Sequence, residues 1–220
     1  MTWKISGAAV FAPIRRSPRN ATWGFGVVFS DRALEFLRAD DEDLYQYLTP
    51  HMENWTHLSI QVNDTRIPIT GNGFAATGRL ELLQRLYAYV EALGVTLHFE
   101  TEVESLSALG EADLVVGANG AFSWLRTQHE ERLGTTCDWR PNKFIWYGTS
   151  KVFDSLSLTF RETELGVFCA HHYRYSPTMS TFLVEVQADT WQRAGFETMS
   201  PEDTIALCER VFANDLDGHP

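Results

Sequence analysis

Between residues 79 and 93 the chain reads RLELLQRLYAYVEAL, and its apolar positions Leu83, Leu86, Val90 and Leu93 recur at steps of three and four. That spacing lays one buried stripe along a helix, leaves Glu81 and Arg85 to pair on the other face, and makes Gly94 the stop signal. The period then changes. In VTLHF, residues 95–99, Val95, Leu97 and Phe99 alternate inward, which is the two-residue repeat of a strand. LVVGA at 114–118 is apolar without alternation, the pattern of a strand buried on both faces of a parallel sheet. Helix, strand and strand in this order predict part of an α/β layer.

Upstream, DRALEFLRADDEDLYQYL at 31–48 places Leu34, Leu37, Leu44, Tyr45 and Leu48 at helical spacing, with Ser30 and Asp31 as cap candidates and Asp40 to Asp43 as a solvated helix start. LSIQVNDTRIPI at 58–69 predicts two strands joined at Asn63-Asp64, and Pro68, which has no N–H to donate, assigns its strand to a sheet edge. From about residue 140 the texture changes. FIWYGT, LSLTF, LGVFCAHHYRY and TMSTFLVEV are aromatic and β-branched runs separated by turn residues, which argues an antiparallel sheet. The closing SPEDTIALCERVFANDL offers Ser200 as N-cap, Pro201 at the first helical position and Asp203 in the first turn, with Ile205, Cys208, Val211 and Phe212 on one side.

Composition narrows the function classes. The 220 residues are 44% hydrophobic, ample for a packed core, and 18 Lys+Arg against 29 Asp+Glu give a net charge of -11. That field opposes non-specific contact with nucleic acid or an anionic membrane. The apolar start before Arg15 is too short to span a bilayer, and the basic cluster Arg15, Arg16 and Arg19 follows it rather than preceding it, so neither a membrane anchor nor a secretory signal is expected. Cys137, Cys169 and Cys208 are widely spaced and form no C-x-x-C, which points away from disulfides and zinc and toward a reducing cytoplasm. His171 and His172 beside Cys169 do not make a metal site either, because neighbouring strand residues point to opposite faces.

The chemistry concentrates in DLVVGANGAFSWLR, residues 113–126. In open α/β sheets the carboxyl end of a strand is where ligands bind, and small residues there leave room for one. By spacing alone, Asn119-Gly120 is a tight turn and nothing more. Arg79 at the start of its helix opposes the helix dipole, an arrangement that an anionic partner relieves.

The run LVVGANGAFSWLR resembles the motif of the class A flavoprotein monooxygenases, which are FAD- and NAD(P)H-dependent aromatic hydroxylases. In that family an apolar run, Asp-Gly, Ser and Arg lie near the FAD pyrophosphate and the path of the nicotinamide cofactor. Gly120, Ser123 and Arg126 match, and Asn119 stands where most of the class has Asp. RNATWGFGVVFSD at 19–31 is similar to the family stretch that passes beside the flavin, which implies cofactor roles for Gly24 and Gly26. GFAATGRLELLQRL at 73–86 resembles the segment whose Arg opens the long helix, which puts Arg79 near the FAD phosphates or ribityl chain. The segments after residue 140 resemble the salicylyl-CoA and anthraniloyl-CoA hydroxylases, with the tryptophan hydroxylase of violacein synthesis a close relative.

The resemblance implies a mixed α/β fold, a partial Rossmann-like FAD-binding layer plus an antiparallel substrate-domain sheet. It divides the chain into a divergent N-terminus (1–18), a partial FAD-binding domain (19–135) and a substrate sheet domain (136–220). It implies FAD as cofactor, NADH or NADPH as reductant, O2, and an aromatic substrate that is an aryl-CoA thioester or tryptophan-like ring, with cofactor contacts at Gly24, Gly26, Arg79, Asn119, Gly120 and Arg126. His171 or His172 would line the substrate pocket. No G-x-G-x-x-G and no closing Gly-Asp segment occur, so the sequence reads as the middle of such an enzyme. A non-catalytic remnant, or an α/β binding module without a flavin site, is the alternative.

Overall fold

The computed structural model describes residues 9–12 and 24–220. The N-terminal basic cluster and the first residues of the 19–31 motif lie outside them. The elements run β1 (Ala9–Ala12), β2 (Gly26–Ser30), α1 (Asp31–Asp40), α2 (Glu42–Leu48), β3 (Glu53–Val62), β4 (Thr65–Gly78), α3 (Arg79–Ala92), β5 (Thr96–Phe99), α4 (Trp124–Gln128) and α5 (Glu130–Leu133). They continue with β6 (Lys143–Thr149), β7 (Leu156–Thr163), β8 (Gly166–Ser176), β9 (Met179–Val186), α6 (Ala188–Ala194), α7 (Pro201–Val211) and α8 (Ala213–Leu216). They fall into two compact units, one holding β1 and Leu86–Arg140, the other residues 24–85 and 141–220.

The larger unit is built on a sheet of order β2-β4-β3-β7-β8-β9-β6, antiparallel throughout except where β3 runs parallel to β7. Alternation decides its two faces. Phe168, Ala170 and His172 of β8 and Phe182, Val184 and Val186 of β9 point to one side. There they meet Ala194, Phe196, Leu207, Cys208, Phe212 and Leu216 from α6 to α8 in the main core. Phe182 and Phe212 meet edge to face at 5.2 Å, a preferred aromatic geometry. On the other side Trp55, Ala76 and Tyr173 form a second cluster with Val28, Phe74, Leu156 and Tyr175. The sheet is curled enough for its edge strand β2 to reach back to β8 and β9: the Tyr173 hydroxyl donates to the Gly26 carbonyl, and the Gly26 N–H donates to Thr181 Oγ1, both at 2.9 Å.

Helix starts follow their caps. The Ser30 hydroxyl accepts from Ala33 N–H, Asp41 from Leu44 N–H and Ser200 from Asp203 N–H. The β3–β4 hairpin turns at Asn63-Asp64, and Pro68 lies where β4 has only β3 beside it, since β2 pairs with Phe74–Gly78 alone. Buried ion pairing ties this sheet to the last helix: Arg161 forms a two-pronged bridge to Asp215 at 2.8 and 2.7 Å, and Gln61 adds a bond at 3.1 Å.

In the smaller unit β1 and β5 pair in parallel. Three expectations change. LVVGA at 114–118 is not a strand, and Leu114 and Val116 are 77% and 75% exposed. An apolar run becomes a buried strand only with a hydrogen-bonded neighbour and covering layers, and among the described residues it pairs with neither β1 nor β5. Leu93 falls past the end of α3 and is exposed, because Val95 N–H already closes onto the Val90 carbonyl. On α7, Leu207 rather than Ile205 turns inward.

Candidate functional site

The sheet face away from α6–α8 carries the candidate chemistry of the larger unit. Its register sets Trp146 opposite Leu183, Leu183 opposite His171, His171 opposite Leu158 and Leu158 opposite Ile60, one row of half-buried side chains across five strands. Directly paired residues share a face, so the row is continuous.

Arg79 sits at one end of it. Its N–H donates to the Phe25 carbonyl at 2.7 Å, which seats the helix start against the turn before β2, and its guanidinium lies 6.0 Å from the centre of the Trp146 ring. Among the described residues Arg79 has no carboxylate partner, and the buried Trp146 Nε1 has no acceptor. A cation and an unsatisfied donor together at the edge of an apolar face fit a ligand with anionic or carbonyl oxygens, as FAD has. Gly24 and Gly26 have a packing reason of their own. A Cβ on Gly24 would stand 2.9 Å from the Trp146 ring and one on Gly26 2.6 Å from Tyr175 Cβ, so only glycine lets this backbone lie against those rings.

Asn119, Gly120 and Arg126 belong to the smaller unit and form a self-contained turn. Gly120 has φ 87 with open space around it, a left-handed backbone that the turn requires. The Ser123 hydroxyl donates to Asn119 Oδ1 and accepts from the Arg126 N–H at 3.1 Å, capping the short α4, while the Arg126 guanidinium donates to the Ala121 carbonyl. The side chains that the motif brought to notice thus shape the turn itself.

The two histidines separate as strand alternation requires. His172 is 4% exposed on the helix-covered face, its ring 3.9 Å from that of Phe153 and 5.4 Å from that of Phe182, with Nε2 2.9 Å from Thr159 Oγ1. Burial holds its pKa down at about 3. His171 stands on the other face, half-exposed, with Nε2 3.4 Å from Glu185 Oε2. Glu185 lies directly opposite Cys169, whose thiol is pushed up to about 12 by burial and by that carboxylate, so it stays protonated and unreactive at neutral pH. Sequence reasoning missed the pairing of Glu185 with Asn142 and the placing of Trp146 beside Arg79, because both depend on strand register, which no local pattern encodes.

No family model matches the chain. It is 38% identical over 213 residues, 93% of its length, to a salicyloyl-CoA 5-hydroxylase from a Streptomyces species, of which it covers 41%. It is 37% identical over 216 residues, 94% of its length, to protodeoxyviolaceinate monooxygenase of Chromobacterium violaceum, of which it covers 56%. The chain thus spans about half the length of the curated relatives it matches. Among solved structures it superposes on 2-methyl-3-hydroxypyridine-5-carboxylic acid oxygenase with a TM-score of 0.71 at 15% identity, over 92% of this chain and 57% of that one, a likeness of fold. Sequence similarity along nearly the whole chain, on a curled sheet of the same fold, makes it a member of the FAD-dependent aromatic monooxygenase family.

Proposed function

We propose that this chain supplies the substrate-facing sheet and part of the flavin-facing rim of a monooxygenase that hydroxylates an aromatic ring, carried as an aryl-CoA thioester or as a tryptophan-like compound. The observation that carries the reading is Arg79, without a carboxylate partner among the described residues, set over Trp146 at the end of the row that runs through Leu183, His171, Leu158 and Ile60. Bound FAD, reduced by NADH or NADPH, would supply the activation of O2. The protein's own tasks are then physical. Arg79 and the Trp146 indole N–H hold oxygen atoms of the cofactor, Leu183, Leu158 and Ile60 exclude water from the ring, and His171 offers it a polar contact. In the smaller unit the Asn119-Gly120 turn and Arg126 offer a ligand backbone groups, since Ser123 and the Ala121 carbonyl take up their side chains. On this reading segment 19–135 carries the cofactor side apart from Ile60, and 136–220 the substrate side apart from Trp146, in a cytoplasmic protein.

Titrating FAD with the purified protein tests this. A saturable change in flavin fluorescence is expected, weakened about tenfold by Arg79→Met, the loss of one charge-assisted contact. Flavin fluorescence that stays constant up to high protein concentration would overturn the proposal for this chain.

A further inference from the structure

The two ends of the seven-stranded sheet lock together, ring against glycine. The Trp146 ring of β6 lies on Gly24, in the turn before β2, and the Phe25 ring of that turn lies on Gly148 of β6. A Cβ on Gly148 would stand 2.6 Å from two carbons of the Phe25 ring, which is a clash. The backbone of Gly148 asks for no glycine, since it sits in regular antiparallel register opposite Thr181 and has no positive φ. A glycine inside a strand weakens it, so the Phe25 ring is the reason for this one. Phe25 is pinned on its other sides as well. Its neighbour Gly26 donates to Thr181 Oγ1 and accepts from the Tyr173 hydroxyl, both at 2.9 Å, and the Phe25 carbonyl accepts the Arg79 N–H at 2.7 Å. Phe25 thus places the start of α3, while β6 places the indole that the Arg79 guanidinium faces at 6.0 Å. The contact of Phe25 with Gly148 ties these two together.

We propose that Phe25 and Gly148 are positioning residues for Arg79: the ring seated on the glycine holds the guanidinium over Trp146, where the cation and the indole N–H can grip one anionic ligand. The inference rests on the function proposed above and adds to it the residues that set the grip. Phe25 need touch no ligand for this. A methyl group on Gly148 pushes the Phe25 ring outward, and the carbonyl that seats Arg79 moves with it. Removing the ring instead takes away one hold on the turn, so the guanidinium over Trp146 gains freedom. A cation fixed in place beforehand loses less freedom when its ligand arrives, and both changes forfeit that advantage.

Nitrogen NMR of the purified, cofactor-free protein reads the positioning directly. The Nε–H resonance of Arg79, identified by its loss in Arg79→Met, should move in both Gly148→Ala and Phe25→Ala. That of Arg161, bonded to Asp215 at 2.8 Å, should stay still, which excludes a general loosening of the fold. Phe25→Ala introduces no clash and decides the matter if Gly148→Ala fails to fold. In FAD titrations each variant should bind about fivefold more weakly than the wild type, and neither should weaken binding further when Arg79→Met is already present. A loss that adds in full to that of Arg79→Met would mean direct contact with the cofactor and overturns the inference, as does an Arg79 resonance unmoved in both variants. If the wild type binds no FAD, the function proposed above falls, while the Arg79 resonance still decides whether Phe25 and Gly148 position it.

Discussion

His172 is neutral because its surroundings refuse a charge. Packed against Phe153 and Phe182, its pKa falls from 6.5 to about 3, chiefly through burial, with Arg66 and His171 adding repulsion. Above pH 6.5 the ring is uncharged in both native and unfolded chains. Below it the unfolded chain takes a proton that the native one does not, so stability falls as pH drops from 6.5 toward 3, by up to about 1.4 kcal/mol per unit. Urea midpoints should therefore decline between pH 7 and 5, and His172→Phe should flatten that decline; an equal slope in both proteins would assign the acid sensitivity elsewhere. Asp215 makes a second residue-scale test. Its bridge with Arg161 is buried, with side chains 6% and 11% exposed, so Asp215→Ala leaves the guanidinium only the exposed Asp64 at 3.3 Å and should cost about 3 kcal/mol in urea unfolding. At this scale the sequence showed that His171 and His172 must face opposite ways. It did not show which way, because that is settled by where α6 to α8 dock.

Elements were legible where local chemistry decides them. Ser30 and Ser200 marked helix starts because a side-chain oxygen satisfies a backbone N–H within three residues, and Gly94 marked the end of α3 for the same local reason. LVVGA misled because burial is granted by neighbours, and Leu114 to Val116 have no strand beside them among the described residues. The Asn119-Gly120 turn stands regardless, as its geometry is held from within. Replacing Gly120 by Ala puts a Cβ into a left-handed backbone, and should cost roughly 1 kcal/mol locally, visible as faster amide hydrogen exchange at Ser123 and Arg126. Unchanged exchange would mean that the turn already relaxes without strain.

At the scale of the molecule, the sequence divided textures near residue 140, whereas the structure joins residues on both sides of that point in one sheet. Runs of strand-forming residues tell how many strands to expect and say nothing of their order. The order rests on β3 lying beside β7, set by pairs such as Ile60 with Leu158 and reinforced by hydroxyl contact between Ser59 and Ser157 at 2.7 Å. Among the described residues no helix is long and apolar enough to cross a membrane. That parallel seam also governs how the protein comes together in time. β3 can find β7 only by closing the loop of residues 63–155, so the sheet's two halves complete each other late, after their hairpins have formed. A protease cut between residues 100 and 120 should leave the finished sheet intact, yet turn its refolding into a meeting of two chains, dependent on concentration where it had been independent.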